Sequence, residues 1–307
     1  MTICVAAMSD SGKRVFGASD RMLTGGDVEF EPSQSKVVEL TPSIAILVAG
    51  NTAMQIEIAY KVRSEVGRRL EAEPGNIWTV SDVADLYSHF HNEARLKRSE
   101  NSILAPLGLN RTSFLDRQQH LAPDLVLQLA NKLTSYEGPR VQAIVLGVDL
   151  GGGHIYVCDN GAVNCQDSVG FAAIGIGHWH ATSQFMFGGH TKYNAMPETM
   201  LMTYFAKKRS EVAPGVGEFT DMLMIGPDLD SYVLIGDEPL ETLDRIWQRA
   251  QSKRRELERA AEEEINKYFH SPNDTAEIAT GNQSTQSESE IVSPEEAAPS
   301  EDSKTRN

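Results

Sequence analysis

The stretch that decides the fold is residues 2–19, TICVAAMSDSGKRVFGAS. Apolar and β-branched residues fill positions 2–8, turn-forming residues follow at 9–13, and a second strand-like run resumes at 14–19. Two apolar runs that flank a group of Ser, Asp and Gly residues are typical of a β-hairpin. The sequence therefore predicts that the chain opens with two antiparallel strands.

Beyond this hairpin, strand patterns alternate with pairs of helix patterns, while residues 100–119 lack a clear pattern and are expected to form a loop. Strands separated by helix pairs favour antiparallel sheets with helices on their outer faces over a parallel sheet of βαβ units. We predict strands at 35–40, 44–49, 141–149, 153–158, 168–176, 219–225 and 231–235, and helices at 53–72, from 81, at 123–133 and within 179–209.

The composition allows a sizeable core. Of the 307 residues, 40% are hydrophobic and 23% are charged, which excludes a wholly disordered chain. The net charge of −15 argues against a general nucleic-acid binder, because such a surface repels phosphates. The sequence also lacks an apolar run near the ~18 residues that a membrane helix requires, so we expect no membrane partner.

The cysteine and histidine residues do not form a recognisable metal or disulfide pattern. Cys4, Cys158 and Cys165 are too few for a disulfide framework and lack zinc-site spacing. Two H-x-H pairs, at 89–91 and 178–180, place their histidines on different faces of a helix, and we predict no metal there. The first residues lack the basic segment of a secretory signal, so a cytoplasmic location is expected.

The chain changes character after residue 237. Residues 238–269 are rich in Glu, Arg and Ala, with apolar residues near heptad spacing, which predicts a charged helical extension. Residues 270–307 are rich in Ser, Thr, Gln and Pro and carry eight acidic and two basic residues, which predicts a disordered acidic tail. We therefore divide the chain into a body at 1–237, the extension and the tail.

Thr2 is a candidate nucleophile, because methionine is readily trimmed when threonine follows it. Removal of Met1 would leave Thr2 with a hydroxyl and a free α-amine, whose reference pKa of about 7.7–8.0 suits a general base. A threonine that its own amine activates is an established type of nucleophile. Many chains begin with Met-Thr, however, and an ordinary start is the alternative interpretation.

Lys36 is the second candidate residue. Strand alternation places Lys36 on the same face as Val38 and Leu40. If that face is buried, the lysine must be paired or desolvated, and Asp20 at the end of the second strand is its natural partner. The alternative is an exposed lysine at a frayed strand start, with Asp20 merely opening a turn.

Four stretches match the pattern of one known family: 2–6 TICVA, 15–21 VFGASDR, 35–39 SKVVE and 46–51 ILVAGN. In these stretches the chain resembles the proteasome β-subunit family of N-terminal nucleophile (Ntn) hydrolases, and its opening is most similar to bacterial stand-alone β-type relatives. The intervals from Asp20 to Lys36 and from Lys36 to Gly50 match the family without gaps. The resemblance covers roughly residues 2–237 and implies an α+β fold, the αββα sandwich of two stacked antiparallel sheets between helix layers.

The resemblance implies a threonine-type hydrolase, most often a peptidase, that needs no metal and no organic cofactor. It assigns the nucleophilic hydroxyl and the basic amine to Thr2. It places the positive charge of Lys36 beside that hydroxyl, with Asp20 holding Lys36 in its charged form. The Gly50 N–H would stabilise the oxyanion of the tetrahedral intermediate.

The same resemblance implies a substrate class and an assembly. Thr24 would line the substrate cleft through its backbone, and Val48 would line the side-chain pocket, where a valine favours a small or apolar residue. Peptides or unfolded proteins are the expected substrates. The expected assembly is a homo-oligomeric ring with an unidentified gating partner.

The chain departs from the family pattern at two places. Residues 175–178 read GIGH where active members usually place a serine, and residues 213–217 read APGVG where they carry an Asp and a Ser. Ser210 or Glu211 would be the nearest substitutes. Two alternatives therefore stay open: an Ntn amidase that cleaves a small-molecule amide, and a catalytically weak structural ring subunit. The basic run at 207–209 is attributed to favourable charge at a helix C-terminus.

Overall fold

The computed structural model describes residues 2–25, 28–33, 35–73, 75 and 77–269. In chain order its strands are β1 (Ile3–Ser9), β2 (Arg14–Ser19), β3 (Leu23–Gly25), β4 (Val28–Phe30), β5 (Val37–Thr41), β6 (Ile44–Gly50), β7 (Val141–Asp149), β8 (Gly152–Asp159), β9 (Ala162–Cys165), β10 (Phe171–Gly175), β11 (Asp221–Ile225) and β12 (Tyr232–Leu234).

These strands form two five-stranded antiparallel sheets and the short hairpin β3-β4. The first sheet has the order β10-β1-β2-β11-β12, and the second has the order β5-β6-β7-β8-β9. The predicted opening hairpin is confirmed, with Cys4 opposite Ser19 and Ser9 opposite Arg14. The prediction of antiparallel sheets in a chain of mixed helix and strand is likewise confirmed.

The helices flank the strands along the chain. They are α1 (Thr52–Ala72), α2 (Val80–Ser99), α3 (Arg111–Arg117), α4 (Pro123–Thr134), α5 (His178–Phe187), α6 (Met196–Ser210) and α7 (Asp237–Phe269). Several begin at a residue that caps the free N–H groups of the first turn, as Asn51 does when its side chain accepts a hydrogen bond from the Met54 N–H at 3.0 Å.

The prediction of a loop at 100–119 is wrong, because most of this segment is helical. A π-helical turn, Glu100–Leu104, continues α2, and a short 3₁₀ turn follows before α3. Asn110 caps α3 through reciprocal hydrogen bonds with Ser113. A small apolar cluster stabilises these short helices. It contains Leu104 of the π-helical turn, Phe114 of α3 and Leu129 of α4.

The strand β1 is buried on both faces, which explains its almost continuous apolar sequence. Side chains alternate between the two faces of a strand. Cys4 and Met8 pack against residues of β6 and β7 in the second sheet. Ile3 and Val5 point to the other face and pack against α5, α6 and α7.

The strand β6 plays the matching part in the second sheet. Ala45 and Leu47 pack between the two sheets. Ile44 and Ile46 point the other way and pack against α1 and α2. The two sheets therefore pack face to face, and each carries helices on its outer face.

The first turns of α7 belong to the compact body. Leu243 is buried, and the Trp247 ring packs edge-on against Phe205, with ring centroids 4.9 Å apart. The body therefore ends at Trp247 rather than at residue 237, where the change in composition placed the boundary. A helix can change from a packed to a solvated segment without any break in its backbone, which is why composition located this boundary too early.

Residues 248–269, the second unit of the chain, continue as a highly charged helix with mostly exposed side chains. The predicted tail at 270–307 lies outside the described residues. Within the part of the chain that the structure describes, no helix combines the length and the apolar character needed to cross a membrane.

The packing of α7 predicts a contrast between two of its leucines. Leu243 is 6% exposed and Leu257 is 72% exposed. Leu243→Ala should lower the free energy of unfolding by about 2–5 kcal/mol, because it leaves a cavity in the core. Leu257→Ala, the matched control, should change it by less than about 0.5 kcal/mol. Urea denaturation followed by circular dichroism measures both, and equal effects would show that α7 is not part of the core.

Candidate active site

Thr2, Asp20 and Lys36 meet at one end of the first sheet. The pairing of β1 with β2 brings Thr2, just before β1, beside Asp20, just after β2. Lys36 lies immediately before β5. Their exposed fractions are 3% for Thr2, 0% for Asp20 and 8% for Lys36. The structure thus brings together three residues that the sequence selected, and it buries all of them.

The Thr2 hydroxyl lies between the two charged groups. It donates a hydrogen bond to Asp20 Oδ1 and accepts one from Lys36 Nζ. The Lys36 ammonium also donates to Asp20 Oδ1 at 2.8 Å and to the Met22 carbonyl at 2.5 Å. A lysine ammonium has three N–H donors, and these contacts use all three. The Lys36 ammonium favours negative charge on the threonine oxygen, whereas the Asp20 carboxylate acts in the opposite direction.

Cys4 lies close to this pair and is a possible competing nucleophile. Burial raises the pKa of its thiol far above the ordinary range, although the nearby Lys36 charge acts in the opposite direction. The thiol also lies 3.5 Å from the Val48 carbonyl, as a donor would. Since the thiolate is the reactive form of cysteine, burial disfavours reaction at Cys4.

The Asp20 carboxylate is held by backbone N–H groups as well as by side chains. Oδ1 accepts from the Ile3 N–H at 3.0 Å. Oδ2 accepts from the Met22 N–H at 3.2 Å and from the Gly217 N–H at 3.0 Å. Hydrogen bonds to the charged form of a carboxylate stabilise that form. Gly217 therefore contributes to the site, although the sequence did not identify it.

Gly50 ends β6 in a conformation that requires glycine. Its φ is +109°, and a Cβ atom at this position would lie 2.3 Å from the carbonyl oxygen of Arg140. Gly50 and Thr2 line the same open cavity of about 390 Å³. The other lining residues are Ala49, Arg140, Gln142, Gly175, Ile176, His178 and Trp179. Thr2 and Gly50 therefore face a common cavity.

A second, smaller cavity of about 70 Å³ lies beside Lys36. Its lining residues are Leu23, Ser35, Lys36, Val38, Val48, Thr52, Gln55, Ile56 and Ala59. Val48 thus lines a mainly apolar cavity. Thr24 is not among these residues, and its buried hydroxyl has no hydrogen-bond partner within the described part of the chain.

The segment 175–178, which lacks the serine of the family pattern, holds the backbone of Thr2. The Ile176 N–H donates to the Thr2 carbonyl at 2.9 Å. The Gly175 N–H donates to Gln142 Oε1 at 3.1 Å, and the His178 ring bonds the Gly175 carbonyl at 2.7 Å. This segment therefore holds Thr2 in position through its main chain.

Ser210 and Glu211, the suggested substitutes for the absent Asp and Ser, contact residues around the site rather than Thr2 itself. The Ser210 hydroxyl lies within hydrogen-bond distance of the Ala206 and Gly177 carbonyls, and the Glu211 carboxylate pairs with Lys207 and Lys208. Neither side chain bonds Thr2 in the described part of the chain. The basic run at 207–209 was expected to be a favourably charged, exposed end of a helix. The burial of Lys207 was not predicted.

Among the described residues, no cluster of three or more His, Cys, Asp or Glu side chains could hold a metal ion.

A scan against models of known protein families found no match, and a search of curated proteins found none either. The interpretation of this site therefore rests on its own geometry and chemistry.

The buried pair predicts a large effect of removing one charge. Asp20→Ala should lower the free energy of unfolding by about 3–5 kcal/mol, because it leaves Lys36 buried without its counter-ion. The double variant Asp20→Ala/Lys36→Met should lose less than the sum of its single variants, since it removes both charges. Urea denaturation of the single and double variants gives these values.

The control for this prediction is Arg68→Ala, which removes an exposed partner of Glu65 and should leave the unfolding midpoint unchanged. If Asp20→Ala and Arg68→Ala behaved alike, the Lys36 ammonium would be solvated rather than buried.

Proposed function

We propose that this chain is a threonine-type Ntn hydrolase that cleaves peptide bonds, with Thr2 as the nucleophile after removal of Met1. The proposal is carried by one observation: the Thr2 hydroxyl lies buried between the Lys36 ammonium and the Asp20 carboxylate. The packing of two antiparallel sheets between helices supports an αββα sandwich of the Ntn type. Gly50, at the wall of the cavity that Thr2 lines, supports the assignment of an oxyanion donor.

In the proposed reaction, Thr2 Oγ attacks the carbonyl carbon of the scissile amide. The hydroxyl proton passes to the free α-amine of Thr2 and from there to the leaving nitrogen. Lys36 stabilises the developing alkoxide by its charge, and the Gly50 N–H donates to the oxyanion. Water then hydrolyses the ester between Thr2 and the acyl group and regenerates the free hydroxyl.

The cavity beside Lys36 supports a preference for a small apolar side chain on the acyl side of the scissile bond. Val48, Val38 and Leu23 provide its apolar walls. Peptides and unfolded proteins are the proposed substrates. The ring assembly and its gating partner stay predictions from the resemblance.

A peptide epoxyketone tests the proposed nucleophile, because it can close a ring with both the hydroxyl and the amine of an N-terminal threonine. The mature protein should lack Met1, and mass spectrometry should place one adduct on Thr2. Thr2→Ala should form no adduct. Lys36→Met should reduce the rate of adduct formation by at least about 100-fold, the typical loss when electrostatic stabilisation of the developing charge is removed.

The control for Lys36 is Lys61→Met, which alters a lysine paired with the glutamates of α1 and α2 and should react at the wild-type rate. Retention of Met1 in protein that cleaves peptides, or an adduct on another residue, would contradict the proposal.

The apolar pocket predicts a change of specificity in Val48→Ala. The larger cavity should raise kcat/KM for peptides with leucine at the acyl position, relative to alanine, by about tenfold, a typical value for one or two methylene groups. Fluorogenic peptide amides that differ only in this residue measure the ratio. Val212→Ala, which alters an exposed valine, should leave the ratio unchanged. An unchanged ratio in both variants would show that the pocket does not receive the acyl side chain.

A further inference from the structure

Lys207 is a second buried lysine near Asp20, and the proposed chemistry does not use it. It lies near the end of α6 and is 0% exposed. Its ammonium donates to the Gly217 carbonyl at 2.9 Å, to the Glu218 carbonyl at 2.8 Å and to Glu211 Oε1 at 2.5 Å. These contacts satisfy all three of its donors. A buried cation with this complete set of partners fixes the peptide groups that it contacts.

The peptide backbone at Gly217 connects Lys207 to the nucleophile. The Gly217 carbonyl accepts from Lys207, while the Gly217 N–H donates to Asp20 Oδ2 at 3.0 Å. The other oxygen of Asp20 accepts from the Thr2 hydroxyl and from Lys36. A displacement of Gly217 would therefore move the carboxylate that orients both reacting groups.

The charge of Lys207 is balanced within the same cluster. Burial lowers the pKa of the Lys207 ammonium, while Glu211 and, more weakly, Asp20 act in the opposite direction. Lys208 shares Glu211 as a partner at 2.7 Å. In the described part of the chain, Lys208 pairs with the same carboxylate but does not bond the Gly217 or Glu218 carbonyl, so it provides a natural control.

We propose that Lys207 is a positioning residue, which sets the reactivity of Thr2 through the Gly217 backbone and Asp20. This inference rests on the proposed function, because it concerns the rate of Thr2 acylation. It also gives a role to the loop at 213–217, where the Asp and Ser of the family pattern are absent. In this chain, the loop acts on Asp20 through a backbone N–H that a buried cation holds in place.

The test measures formation of the covalent Thr2 adduct with the peptide epoxyketone in full-length protein, as a function of reagent concentration. Lys207→Met should react to completion, with a maximal rate constant that is lower by about 10- to 100-fold, as expected for a misplaced reacting group. The concentration that gives half of the maximal rate should not change, because Lys207 does not line either cavity described above. Lys208→Met should keep the wild-type rate constant, because Lys208 pairs with Glu211 from a position that is more exposed than that of Lys207.

A purely structural role of Lys207 would give a different result. The fraction of reactive protein would fall with the unfolding midpoint, while the folded molecules kept the wild-type rate constant. That result would overturn the inference. So would an equal loss of rate in Lys207→Met and Lys208→Met, since it would assign the effect to Glu211.

If Lys207→Met does not fold, the double variant Lys207→Met/Glu211→Met replaces it, because exchange of both members of a buried pair for apolar residues is often neutral. The double variant should show the same loss of rate, and failure of both variants to fold would assign Lys207 a structural role instead. A wild-type protein without a Thr2 adduct would remove the proposed function and this inference together. A reactive wild type with an equally reactive Lys207→Met would remove this inference alone.

Discussion

The buried ion pair between Lys36 and Asp20 is the interaction on which the site depends. Removing two charges from water costs several kcal/mol for each, and close geometry with further hydrogen bonds must offset that cost. Asp20 receives donors from Thr2, Ile3, Met22, Lys36 and Gly217. These donors come from the start of β1, the end of β2, the approach to β5 and a loop near the end of the body. The pairing of the strands must therefore be correct before the ion pair can form.

Two lysines hold irregular segments in place around this carboxylate. Lys36 donates to the Met22 carbonyl, just beyond β2, and Lys207 donates to the carbonyls of Gly217 and Glu218. Buried backbone carbonyls require a hydrogen-bond partner. Here the ammonium groups supply that partner in segments that have no strand or helix pairing of their own. The two lysine ammonium groups thus fix segments of the site that lie outside the strands and helices.

Much of the fold could be predicted from the sequence where one periodicity dominates. The apolar runs of β1 and β6, bounded by turn residues, predicted strands, and the position of Lys36 on the face of Val38 and Leu40 predicted its pairing with Asp20. The helical structure at 100–119 was not predicted, because Pro106 and Gly108 interrupt its periodicity and its apolar residues form only a small local cluster. The burial of Lys207 could not be predicted for another reason: a run of three basic residues is typical of a solvated helix end, and the carbonyls of Gly217 and Glu218 that accept from Lys207 belong to a loop later in the chain.

The loop at 213–217 illustrates why side-chain motifs describe such a site incompletely. Hydrogen bonds to Asp20 can come from any peptide N–H, so the identity of the residue that donates carries little information. Two side chains outside the loop hold it instead: Lys207 donates to the Gly217 carbonyl at 2.9 Å, and Glu31 accepts from the Phe219 N–H at 3.3 Å. Glu31 and Lys207 therefore fix the path of this loop from different sides, and the geometry of Thr2 depends on residues that hold a peptide group and not on a catalytic side chain within the loop.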